Sequence, residues 1–213
     1  MVRRELSCVR IAAFAVLMAL LASASRAESA SIRQLVEVVD FSGLSVSPDG
    51  RLVAFRTEQP SIERNTIQTV WYVQPVGGTS PPRRLADGGE PLLDTVGQPE
   101  GETAVWSPDG RWIYYRAMLD GRIDVWRAAV DASRTEPLTS DPANVRSFSL
   151  NADGSVLSYS VGAPREAVVH AEGTEHDRGI HVDRSVPLGD ALFRSGYHEG
   201  RLATQRLLDN ELE

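Results

Sequence analysis

Three stretches of the chain align without gaps: VSPDGRLVAF (46–55), WSPDGRWIYY (106–115) and LNADGSVLSY (150–159). Each reads as an apolar residue, a small polar residue, Pro or Ala, then Asp-Gly, then a strand-like run ending in an aromatic. Pro48 and Pro108 pre-set φ at the first corner of a tight turn. Asp49, Asp109 and Asp153 can accept hydrogen bonds from nearby backbone amides. Gly50, Gly110 and Gly154 supply the positive φ at which the chain enters the next strand. Apolar and β-branched runs flank every turn: Leu44 to Ser47, Thr103 to Ser107 and Val145 to Leu150 before it, Leu52 to Phe55, Trp112 to Tyr115 and Val156 to Tyr159 after it. Each unit is therefore expected to be a β-hairpin.

Outward from these turns, further strand-like segments recur. Val70-Trp71-Tyr72-Val73 and Asp124-Val125-Trp126-Arg127 sit at comparable places, followed by Arg84-Leu85-Ala86 and Pro137-Leu138-Thr139. That makes about four strands per unit, and the turns recur 60 and then 44 residues apart. Repeats of roughly 40–50 residues with four strands each are the signature of a propeller blade. The fold class expected is all-β: a partial β-propeller with four-stranded blades, in about three to four blades over residues 28–213. A complete four-bladed ring would need every residue, and an open ring exposes sheet edges, so the chain reads as a truncated piece of a longer protein. The longer first spacing places extra residues in EQPSIERNT (58–66), read as a charged loop, and in ADGGEPLLDTVGQPEGE (86–102), read as a Gly/Pro-rich loop. Residues 161–172 could still supply strands, and 173–193 look partly strand and partly loop. No helical period is evident outside the first residues.

Residues 1–27 have a different character. Arg3, Arg4 and Arg10 precede the apolar run Ile11 to Leu21, and small residues lead to Ser25-Arg26-Ala27. This is the layout of a secretory signal peptide. The apolar run is about half of the roughly 20 residues a spanning helix needs. An exported, periplasmic location is expected, without a membrane anchor after cleavage. The single cysteine, Cys8, would leave with this segment, so neither a thiol nucleophile nor a thiolate-bound metal is expected. Residues 1–27 contribute four Arg and one Glu, so the remainder carries a formal charge of −10 against −7 for the whole chain. Such acidity disfavours nucleic acid as a partner.

Candidate chemistry is sparse. His170, His176, His181 and His198 match no metal-ligand spacing, and no metal or other cofactor is expected. The repeated aspartates are read as turn residues rather than acids, and Trp71, Trp106, Trp112 and Trp126 as blade core. Glu63 and Arg64, in the inserted segment, are the stronger candidates for substrate binding, because loops on a rigid scaffold often carry binding residues. Arg64 could pair with a carboxylate or a peptide carbonyl. Arg178 and Arg194 are weaker candidates of the same kind.

The S-P-D-G turns resemble those of TolB-like propellers and of prolyl oligopeptidase-type peptidases. A narrower resemblance rests on five segments in order: VSPDGRLVAFRTEQPSIERNTIQTVWYVQPVGG (46–78), ADGGEPLLD (86–94), WSPDGRWIYYRAMLDGRIDVWRAA (106–129), HDRGIHVDRSVPLGDALFRSG (176–196) and GRLATQRL (200–207). Together they resemble the amino-terminal propeller of lasso peptide isopeptidases, with SIERN and GRLATQRL the most distinctive. The resemblance implies a serine peptidase in which an α/β-hydrolase domain follows the propeller and cuts the isopeptide bond closing a lasso peptide's ring. The propeller would shape and gate access to that site. Members carry their nucleophile in a G-x-S-x-G elbow, which this sequence lacks, so no catalytic residue is assigned to it. The alternative reading is a non-enzymatic, TolB-like periplasmic binding or scaffold propeller.

Overall fold

The computed structural model describes residues 30–211 except 79, 95, 96, 185, 187, 188, 190 and 191, with backbone alone at Arg194, Asn210 and Glu211. The expected signal peptide lies outside the described residues. The chain divides into two compact units at Leu35/Val36. Described residues of the first begin helix α1 (Ile32–Val36). Its start is a capping box: Gln34 N donates to Ser31 Oγ at 3.2 Å, and Ser31 N donates back to Gln34 Oε1 at 2.8 Å.

In the second unit, strands β1 (Asp40–Val46), β2 (Leu52–Ser61), β3 (Thr66–Pro75) and β4 (Arg83–Gly89) form an antiparallel meander, each pairing with the next. Strands β5 (Val105–Trp106), β6 (Trp112–Leu119), β7 (Arg122–Ala129) and β8 (Thr135–Pro137) repeat it. A third hairpin pairs β9 (Ala143–Leu150) with β10 (Leu157–Pro164). Among the described residues these are two complete four-stranded blades and half of a third, and their sheet does not close. The blade architecture read from the turns is the architecture present.

Each repeated turn is built by the same short-range bonds. In the first, Ser47 Oγ donates to Asp49 Oδ1 at 2.6 Å, while Arg51 N donates to Asp49 Oδ1 and Leu52 N to Ser47 Oγ. Ser107 and Asp109 repeat this in the second turn. In the third, Asn151 takes the serine's place, receiving Val156 N at 2.9 Å, and Ser155 bonds Asp153. Gly50, Gly110 and Gly154 have φ of 72°, 67° and 73°, a region that costs residues with a Cβ. The hydroxyl bonds, then the backbone bonds, hold the Asp49, Asp109 and Asp153 carboxyls below their ordinary pKa. The aspartates are thus turn-builders.

The first two blades pack through a shared core. Trp71 and Tyr115 are fully buried with ring centroids 5.4 Å apart, and Ala54, Val73, Leu85, Ile113, Ala117 and Ala128 close around them. The interdigitation of large rings with alanines lets neighbouring sheets approach closely. Trp106, half-buried, reaches the first blade, its indole N–H donating to Ser45 Oγ at 3.0 Å. Gly89 and Met118 form a parallel bridge between the blades. A Cβ on Gly89 would stand 1.8 Å from the Met118 carbonyl oxygen, so this junction requires glycine.

Two expectations are corrected. EQPSIERNT is not a long loop: β2 and β3 stay paired out to Ser61 and Thr66, leaving a four-residue turn, Ile62 to Asn65. The extra residues lengthen a hairpin, because Gln59, Pro60 and Ser61 find ladder partners in Gln68, Ile67 and Thr66. After β10 the chain is helical, in α2 (Arg165–Arg178) and α3 (Arg194–Glu211). No residue of α2 is buried, so it carries no apolar stripe for a periodicity reading to detect.

Candidate functional site

The repeated turns all lie at one end of the blades. The other end carries the β2–β3 tip, the Asp120-Gly121 turn of β6–β7 and the segment 90–102. Two cavities open at that end, and Met118 lines both.

The first, of about 280 Å³, has Met118, Ile123 and Val145 from three strands, with Leu93 and Phe193 from the connecting segments. Two arginines beside them are held in ion pairs, and Asp94 also lines the cavity. Arg116, on β6, is largely buried. Its guanidinium contacts Glu102 and Glu100 at 2.8 Å each, and its Nη1 donates to the Arg146 carbonyl. Glu102, itself buried, also accepts the Arg116 backbone N–H at 3.0 Å. Burial pulls the Arg116 pKa down, but the hydrogen bonds and charges of Glu102 and Glu100 outweigh it, so the net shift is upward. On the far wall Arg146 meets Glu199 of α3 at 2.9 Å.

Helix α3 makes polar contacts there. A Cβ on Gly162 of β10 would stand 2.3 Å from Glu199 Oε1, so this glycine makes room for the Glu199–Arg146 pair. Between the helices, His198 is buried with Nε2 2.9 Å from Glu175 Oε2. The Ser195 hydroxyl donates to Glu172. Phe193 lies over Gly97, where a Cβ would come within 2.1 Å of the ring.

The second cavity, of about 490 Å³, is more open and more acidic, with Asp87, Glu90 and Asp120 set against Arg64 and Gln68. Asp87 is paired to Arg84 at 2.5 Å.

The four residues singled out from sequence are not brought together. Arg64 lines the second cavity at the hairpin tip, its backbone N–H donating to Ser61 Oγ. Glu63 is exposed beside it. Arg178 is the exposed last residue of α2 and lines neither cavity. Arg194 opens α3 next to Phe193 and Ser195, which line the first cavity; its side chain lies outside the described residues. The Arg116–Glu102 network was not anticipated. Its one sequence signal is an arginine inside an otherwise apolar strand, WIYYRAML, opposite an acid-bearing segment. Among the described residues there is no cluster of three or more His, Cys, Asp or Glu arranged to hold a metal.

No protein-family profile matches the sequence. The lasso peptide isopeptidase AtxE2 of Asticcacaulis excentricus is 32% identical over 167 residues, which is 71% of this chain and 23% of that protein. The chain thus spans about a quarter of the length of this relative. Dipeptidyl-peptidase 5 of Porphyromonas endodontalis is 26% identical over 136 residues, 62% of this chain and 18% of that protein. The apo structure of AtxE2 superposes with a TM-score of 0.58 at 26% identity, covering 70% of this chain and 25% of that one. A serine-to-alanine variant of AtxE2 with Astexin3-dC4 bound gives 0.60 at 27% identity, covering 74% and 27%. In sequence and in backbone, the chain is a homologue of the propeller portion of lasso peptide isopeptidase.

Proposed function

We propose that this chain is the propeller part of a serine peptidase that opens lasso peptides, and that it shapes and gates the approach to a hydrolase site carried elsewhere in the same polypeptide. The observation that carries the reading is the match to AtxE2, which spans most of this chain and extends to its peptide-bound structure. The chemistry would be acyl transfer by serine, then hydrolysis by water. None of the residues described above takes part in it. Their contribution is position: a rigid pair of blades presenting one cavity-bearing end to a threaded peptide, so that orientation lowers the barrier. Arg64 is the binding residue proposed at the hairpin tip, and an exported, periplasmic location goes with the basic-apolar start of the sequence.

The test is expression of the complete reading frame and incubation with an astexin-type lasso peptide. The expected product has gained one water at the ring-closing amide and is no longer threaded, as read by mass spectrometry and carboxypeptidase sensitivity. A reading frame without a downstream G-x-S-x-G, together with an unchanged peptide, overturns the proposal. Fractionation with amino-terminal sequencing tests export, with Glu28 expected as the first residue.

A further inference from the structure

We infer that the cavity between β6, β7, β9 and the start of α3 is a pocket for one uncharged apolar side chain of a bound peptide. The inference rests on the peptide-binding reading above and goes beyond it, in naming the pocket and the class of side chain it takes. Three observations carry it.

The first is size and lining. At about 280 Å³ the cavity lies just under the usual range for small-molecule sites. That suits a single leucine or aromatic side chain rather than a whole ligand. The surfaces such a group would meet are Met118, Ile123, Val145, Leu93 and Phe193. A methionine among them adapts to irregular apolar shapes.

The second is charge. The two arginines at the cavity are already matched, and the carboxylates around it outnumber them. Arg116 is held by Glu100 and Glu102, and Arg146 by Glu199. An acidic side chain entering here would lose its hydration, find no unmatched cation among these pairs and face the surplus carboxylates. That cost is on the order of several kcal/mol for an ion. An apolar group loses nothing of the kind and gains about 25 cal/mol for each Å² of apolar surface removed from water. The pairs set the pocket's selectivity against acidic side chains while leaving its floor apolar.

The third is construction. Phe193 reaches the cavity because Gly97, at φ 77°, has no Cβ to block its ring. The wall it belongs to is fastened by Glu199–Arg146, and His198 lies buried behind it with Nε2 2.9 Å from Glu175 Oε2. The pocket is therefore assembled from four elements, β6, β7, β9 and α3, rather than left over in a loop.

Met118 supplies the test. The sequence has three methionines, Met1, Met18 and Met118, so methyl-labelled methionine gives a sparse NMR spectrum, with Met118 assigned by its loss in Met118→Leu. The full chain is titrated with N-acetyl-phenylalaninamide, N-acetyl-leucinamide, N-acetyl-lysinamide and N-acetyl-glutamic acid amide. A saturable shift of the Met118 methyl with the first two, at millimolar affinity and at least about tenfold weaker with the glutamic acid amide, supports the pocket. Ile123→Trp fills the floor and abolishes the shift. Leu93→Trp narrows the mouth from an exposed position, with little risk to folding, and weakens it. The inference is overturned by no saturable shift, by equal shifts from all four probes, or by shifts that persist in both variants. Persistence would place the probe in the second cavity, which Met118 also lines. The outcome is separable from that of the isopeptidase reading. Ring opening without binding of the capped amides sinks the pocket alone, whereas binding without ring opening leaves the pocket and sinks the reading.

Discussion

Gly154, in the third repeated turn, sits against Pro108 of the second: a Cβ placed on it would stand 2.8 Å from the proline Cδ. Gly110 faces Pro48 of the first turn in the same way, at 3.8 Å. Each S-P-D-G or A-D-G turn is thus both a local device and a seat for its neighbour. The proline sets the first corner of its own turn and offers its ring to the glycine of the next.

Alanine substitution along this row should therefore be graded. Gly50→Ala meets nothing within 4 Å and pays for positive φ alone, about 1–2 kcal/mol. Gly110→Ala adds an ordinary contact and should cost the same. Gly154→Ala adds a clash with Pro108, and should cost a further ~1–3 kcal/mol. Urea unfolding of the three variants measures the order; equal costs would mean that the turns do not seat on each other.

The Arg116 network should behave as a buried ion cluster. Arg116→Ala strands the buried Glu102 and should lose ~3–5 kcal/mol of stability. Arg116→Met with Glu102→Gln, which removes the two buried charges and leaves the more exposed Glu100, should recover more than half of that. A double variant no more stable than Arg116→Ala would show that packing, not charge, dominates there.

Acid should loosen the turns. The carboxyls of Asp49, Asp109 and Asp153 titrate below their unfolded value of 3.8, chiefly because a serine hydroxyl bonds each one. A depressed folded pKa gives stability that is present above pH 3.8 and lost as pH falls through the folded value. The melting temperature of the wild type should therefore drop as pH falls below about 3.8. Asp109→Asn should start lower at pH 6 and lose less over the same acid range. Parallel melting curves for the two proteins would contradict this.

Arg64 and Glu63 are exposed at a hairpin tip, so Arg64→Ala and Glu63→Ala should leave unfolding unchanged within about 0.5 kcal/mol. In the complete enzyme, Arg64→Ala should raise KM for a lasso peptide several-fold with kcat little altered, the pattern of lost uniform binding. An unchanged KM would remove Arg64 from the proposed contact surface.

The blades were readable from sequence because their information is local. Ser47, Asp49 and Gly50 bond within a six-residue stretch, and so do Ser107, Asp109 and Gly110, so the side chains that build each turn are adjacent in the chain. The buried tryptophan Trp71 was readable for the same reason, from its place in a strand pattern. Other features depend on partners far along the chain. Whether 58–66 is a loop or a longer hairpin is decided by residues Thr66 to Gln68 choosing Gln59 to Ser61 as ladder partners. Helix α2 buries no residue and meets α3 through Glu175–His198 and Glu172–Ser195, contacts that no periodicity encodes. The apolar cavity needs Met118, Val145 and Phe193 from three separate elements. The sequence alone determined the repeated turn and hence the blade, because short-range hydrogen bonds and positive φ are properties of adjacent residues. Tertiary structure alone decided which charges neutralise one another around Arg116, because that depends on which distant segments share a low-dielectric space.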